Sequence, residues 1–165
     1  MKKILACIFV LVISLCLTSC IDKGIQFRVS YDDMNAFGFK NKDNGIQLFS
    51  NAYVTSYEQL ITLCNDWNNK TYEQSCELSN LEKLLLTYDE EYFKENDIII
   101  IEFDTGNGII SKVEKVDAKD NKIIVTIKQK QKNGFFTTEA FRWIMVIEIS
   151  KENTNGLSEL EVIFK

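Results

Sequence analysis

One hexapeptide limits the folds open to this chain more than anything else in it. Ile98-Ile99-Ile100-Ile101-Glu102-Phe103 is continuously apolar for four residues and rich in β-branched side chains. A surface helix needs a polar side, and β-branched residues lose rotamer freedom in helices, so the run reads as a buried strand. A second run, Phe141-Arg142-Trp143-Ile144-Met145-Val146-Ile147-Glu148-Ile149, is apolar at every odd position and at the even positions Ile144 and Val146 too. That pattern predicts a central strand. Between the two runs, Ile109 to Val116 reads as a returning strand and Ile123, Val125 and Ile127 alternate with Thr126 and Lys128, while Leu160, Val162 and Phe164 close the chain. Turn-forming Asp, Asn and Gly separate them, at Asp104 to Gly108 and at Asp117 to Asn121. Short strands joined by short turns predict an antiparallel meander.

Upstream of these strands the periodicity changes. Tyr57, Leu60, Ile61, Cys64 and Trp67 recur at helical spacing behind Thr55-Ser56-Tyr57-Glu58, a capping-box pattern. Ser79-Asn80-Leu81-Glu82 opens a second helix carrying Leu81, Leu84, Leu85 and Tyr88. Ile25, Phe27, Val29 and Tyr31 read as a first strand, Asp32 to Gly45 as loop, and Ile46 to Phe49 and Ala52 to Val54 as short strands. The fold class expected is therefore α+β: an antiparallel sheet with two helices before the main strands.

The first twenty residues have a different character. Lys2 and Lys3 precede an almost wholly apolar stretch from Ile4 to Leu17, the anatomy of a secretory signal. The stretch is shorter than the roughly 20 residues a membrane-spanning helix needs. Leu17-Thr18-Ser19-Cys20 resembles the bacterial lipobox. The resemblance implies cleavage before Cys20 and a diacylglyceryl group, with chains such as palmitate, on that cysteine. Two acyl chains anchor stably where one does not. The expected organisation is a signal peptide over 1–19, a lipidated tether over 20–24 and one domain over 25–165, held at the extracytoplasmic face of the cell membrane. Proline is absent and Ile, Lys and Asn are abundant, a bias of AT-rich coding typical of low-GC Gram-positive bacteria.

The residues from Tyr88 to Asn96, the isoleucine strand with its Gly-containing turn, and the run from Phe141 to Ile149 resemble small lipoproteins of Gram-positive bacteria. These are similar in turn to the PrcB C-terminal domain family, named for a subunit of a bacterial surface protease complex. The resemblance spans roughly residues 55 to 150 and implies an exported β-rich accessory domain. It carries no functional residue across, and Asp104-Thr105-Gly106-Asn107-Gly108 departs from the Gly/Ser-rich turn of that pattern.

Several chemistries are excluded or weakened. There is no histidine, so Ser-His and Cys-His pairs and His-containing zinc sites are absent. The net charge of −5 argues against nucleic acid as a partner. No phosphate-binding glycine loop occurs, and no cofactor or metal is expected. Asp104-Thr105-Gly106 after a hydrophobic strand resembles the aspartic-protease motif, but a single copy would need a dimer and no supporting element follows; it reads as a hairpin turn. Asp32-Asp33 and Asp89-Glu90-Glu91 could offer oxygen ligands to calcium, yet read as solvated surface. Cys64 and Cys76 could be bridged in an oxidising compartment or remain as two thiols. Phe135 and Phe136 are adjacent, and neighbouring strand residues point to opposite faces, so either one ring is an exposed anchor for a protein partner or the loop folds back and both rings cap the open end of the core. The function expected is a non-enzymatic interaction or accessory module for another envelope protein, with a protease as one partner. The alternatives are an extracellular peptidase inhibitor and a small hydrolase working with carboxylates alone.

Overall fold

The computed structural model describes residues 24–35, 40–41, 45–46, 51–70, 80–106, 108–134 and 140–165. The described chain is largely strand, in sheets that are antiparallel except for one parallel pair, with a few helices. Strands β1 (Phe27–Asn35), β4 (Ala52–Val54), β5 (Asn96–Gly106) and β8 (Ala140–Ser150) form one sheet in the order β1-β8-β5-β4. Strands β6 (Ile109–Lys119), β7 (Lys122–Gln131) and β9 (Glu159–Phe164) form a second. Two-residue strands β2 (Lys40–Asn41) and β3 (Gly45–Ile46) pair with each other. Helices α1 (Tyr57–Lys70), α2 (Asn80–Leu85) and α3 (Tyr92–Glu95) lie between β4 and β5 in the chain.

The isoleucine run explains the layering. Ile98 and Ile100 of β5, with Ile144 and Val146 of β8, pack against Leu60, Leu81, Leu85, Tyr88 and Phe93 of the helical layer. Ile99 and Ile101, with Met145, Ile147 and Ile149, pack against Val113, Val116, Ile123, Val125 and Ile127 of the second sheet. The first sheet is thus covered on both faces. That is why its inner strands, β5 and β8, are apolar at successive positions, whereas a strand solvated on one side alternates.

The strand order is not that of a meander. β5 and β6 follow one another in sequence yet belong to different sheets, and β5 pairs with β8 and β4 instead. β9 runs parallel to β7. α1 and α2 do precede the four long strands β5 to β8, but β1 and β4 come before them. Periodicity reports which face of a strand is buried and says little about its neighbour.

Local differences have local causes. In β1 the register slips between Val29 and Tyr31, so Ser30 is the extra residue of a bulge. Phe27 and Val29 join the core between the sheets, while Tyr31 turns to the helical layer. The expected single alternating face is therefore split. β1 also runs on to Asn35, through residues expected as loop. Asp104, Thr105 and Gly106 are strand rather than turn. β6 continues to Lys119, leaving only Asp120 and Asn121 to reverse the chain, both at positive φ, 50° and 65°. That is the geometry of a two-residue hairpin turn, which Asp and Asn tolerate.

The α1 cap sits one residue later than expected. Gln59 N donates to Ser56 Oγ at 3.2 Å, and Thr55 N donates to Gln59 Oε1 at 2.8 Å. In its stripe Leu60 is buried and Leu63 and Cys64 are partly so, whereas Ile61 faces solvent. α3 had no apolar stripe to announce it. Asp89 Oδ1 accepts from Tyr92 N at 2.8 Å and opens this single turn.

The first described residues are tied to the second sheet. Ile25 N donates to Val116 O at 2.7 Å, and a Cβ added at Gly24 would stand 2.7 Å from that same oxygen. Only a glycine fits this close approach to β6.

Candidate functional site

The polar residues that break the two apolar runs, Glu102, Arg142 and Glu148, all point to the helical side of the first sheet. Glu148 is the hub of one cluster. Arg28 Nε and Nη2 donate to its two carboxylate oxygens at 3.0 and 2.7 Å, a two-pronged pair across β1 and β8. Tyr88 OH donates to Glu148 Oε1 at 2.9 Å, and Ser30 Oγ, exposed to this side by the bulge, lies 2.9 Å from Tyr88 OH. The Tyr92 ring stacks obliquely on Tyr88 with centroids 4.6 Å apart. Burial works against the Glu148 carboxylate, but the hydrogen bonds from Arg28 and Tyr88 outweigh it and hold the group below its ordinary 4.5. Burial pushes both tyrosine hydroxyls well above their ordinary value of 10.

A carboxylate held ionised by a cation and a phenol has no proton to give near neutral pH, and the neutral phenols are poor bases. The cluster joins β1, β8 and the segment after α2. Because Glu148 is depressed in the fold, its contribution to stability is present above about pH 4.5 and is lost as the pH falls through its folded value. Glu148→Gln is expected to cost about 1–2 kcal/mol at pH 7. It should also flatten the acid side of the stability curve, read by urea unfolding from pH 7 to pH 3. An unchanged acid limb would show that Glu148 is not the group being lost.

Farther along the same face, Arg142 Nε lies 2.9 Å from Glu102 Oε1, and Arg142 Nη2 lies 3.2 Å from Asp104 Oδ1. The aspartate of the protease-like tripeptide is therefore paired with a guanidinium from the neighbouring strand. In the aspartic-protease arrangement the aspartate shares a proton with a second carboxylate. On the other face Asp97, fully buried, accepts from Tyr53 OH and Thr154 Oγ1, each at 2.7 Å, with Lys151 Nζ at 3.5 Å. These bonds fasten the 3-10 turn Lys151–Asn153 to the start of β5.

The acidic candidates do not converge. Asp32 is opposite Met145 and Asp33 opposite Ile144, so the two carboxylates leave opposite faces of β1. Asp32 accepts from Trp143 Nε1, and burial raises its pKa. Asp89 is occupied as a cap. No group of three or more possible metal ligands gathers among the described residues. Cys64 lies half-buried on α1. Cys20, Cys76, Phe135 and Phe136 lie outside the described residues. The Glu148 and Arg142 clusters were not singled out from sequence. Their signal was present, since a lone charge inside a run that is apolar on both faces must find a partner when buried.

No known protein family, no curated protein and no solved structure matches the chain.

Proposed function

We propose that the chain is a lipid-anchored extracytoplasmic lipoprotein whose folded domain is a non-enzymatic interaction module for another protein of the cell envelope. The observation that carries this reading is the lipobox-like Leu17-Thr18-Ser19-Cys20 behind a charged and then apolar leader, set directly against the fold. Gly24 is already packed on β6, so Ile21, Asp22 and Lys23 are all that separates the acylated cysteine from the domain. So short a tether suits a domain that works beside the bilayer. The mutual pairing of Glu148 with Arg28 and of Arg142 with Glu102 and Asp104 favours a structural use of these charges over turnover. The resemblance to the PrcB C-terminal family makes a surface protease the partner of choice, with Phe135 or Phe136 as its anchor.

Metabolic labelling with a fatty-acid probe should mark the wild-type protein and leave it in the membrane pellet. Cys20→Ala should abolish both. An unlabelled, freely secreted wild-type protein sinks the anchor. Recovery from membranes should yield one envelope partner, lost in Phe135→Ala or Phe136→Ala at matched folded concentration. If instead the purified protein cleaves peptides and Asp104→Asn stops it, the non-enzymatic reading is wrong.

A further inference from the structure

Charge is distributed unevenly along this acidic chain. Residues 109–132 hold seven lysines against three acids, while the rest of the sequence from Cys20 onward holds ten basic and twenty-one acidic residues. The basic segment is the β6–β7 hairpin with Lys132 just beyond it. Its inward side chains, Val113, Val116, Ile123, Val125 and Ile127, face the core between the sheets. Lys112, Lys128 and Lys130 are therefore gathered on the outward face. Lys112 and Lys128 stand directly opposite each other across the strand pair, and Ile110 stands opposite Lys130. Like charges directly opposite destabilise a strand pair, so the sheet carries a cost that an anionic surface would offset. Lys128 reaches Glu114 at 3.2 Å, while Lys112, Lys119 and Lys130 have no acidic partner among the described residues. The acids of β9, Glu159 and Glu161, lie at the far edge, where Lys122 approaches both, at 3.7 and 3.4 Å. Ile110, 46% exposed, puts an aliphatic side chain among the lysines.

The first described residues lie on the same sheet. Gly24 and Ile25 are held on β6, an edge strand of this layer. From Cys20 to Gly24 an extended chain spans at most about 14 Å. A lipid on Cys20 thus brings the bilayer within reach of the β6 edge.

We infer that the outer face of the β6–β7–β9 sheet, centred on Lys112, Lys128 and Lys130 with Ile110, docks on the anionic phospholipid headgroups of the membrane that holds the anchor. Lysine stems lie along the interface with their ammonium groups among the phosphates, and Ile110 enters the headgroup layer. Glu159 and Glu161, outward on β9 at the far edge, stay with Lys122 outside this contact. The placement rests on lipidation of Cys20; the charge separation does not.

The test uses the full lipidated protein on vesicles of phosphatidylcholine, with or without phosphatidylglycerol, and an amine-acylating reagent that does not cross membranes. Peptide masses report each lysine, and intact mass reports the lipid. Lys112, Lys128 and Lys130 should be labelled several-fold more slowly when phosphatidylglycerol is present, and high salt should remove the protection, because exposed charges are screened. Lys94, on α3, should be unaffected. Lys112→Gln with Lys130→Gln should restore labelling of Lys128. Equal labelling on both vesicles overturns the docking. Protection that rises with protein density on phosphatidylcholine alone assigns the face to a second copy and also overturns it. A chain without lipid mass overturns the anchor alone, because unlipidated protein added to the same vesicles still reads the docking.

Discussion

Arg142→Met is expected to lower the free energy of unfolding by about 3–5 kcal/mol, measured by urea denaturation. The Arg142 side chain is 5% exposed and its partner Glu102 is 0% exposed. Removing the guanidinium deprives a carboxylate shut off from water of the cation that lies 2.9 Å away. Asp104 is a different case, because its side chain is 55% exposed and regains water easily. Asp104→Asn should therefore cost less than about 1 kcal/mol and leave any activity of the protein in place. Arg142→Met combined with Glu102→Leu should recover most of the loss, since removing both members of a buried pair is commonly close to neutral. If the double variant is as unstable as the single one, the charge is not what the fold requires there and side-chain shape is.

Ile98→Ala and Ile99→Ala should each cost about 2–5 kcal/mol, although the two side chains point in opposite directions. Both are 0% exposed, one against the helical layer and the other against the second sheet. In a sheet solvated on one face, one of the pair would be nearly silent. Thermal and urea unfolding of the two variants therefore measure whether both faces of the sheet are covered. Ile110→Ala, on the outward face of β6, is the comparison and should fall within about 0.5 kcal/mol of the parent. A silent Ile98 variant would mean that the helical layer contributes little to the fold.

Much of the first sheet could be read in advance, for a physical reason. A residue buried on either face must be apolar whatever covers it, so Ile98 to Ile101 and Ile144 to Ile147 announce central strands. The same runs do not say what covers them, because helix and sheet demand the same aliphatic surface. The bulge at Ser30 was not legible, since no residue type marks an extra position in a strand paired with a distant one. The one-residue shift of the α1 cap arises because Thr55 and Ser56 are both capping residues, and only the helix geometry selects between them. The Arg28–Glu148 pair joins residues 120 positions apart, and the Arg142–Asp104 pair joins residues 38 apart. Nothing local relates them.

The sequence by itself determined which residues must leave water, where the helical periodicity gives way to strands, and that histidine chemistry is absent. These follow from each residue's own chemistry and its near neighbours. Tertiary structure decided the pairing: β5 with β8 and not with β6, β9 parallel to β7, Asp104 with Arg142, and the six lysines of one hairpin beside Gly24. Pairing is settled by the joint burial of surfaces far apart in sequence, and a strand's own residues specify the faces it must hide without naming the strand that will hide them.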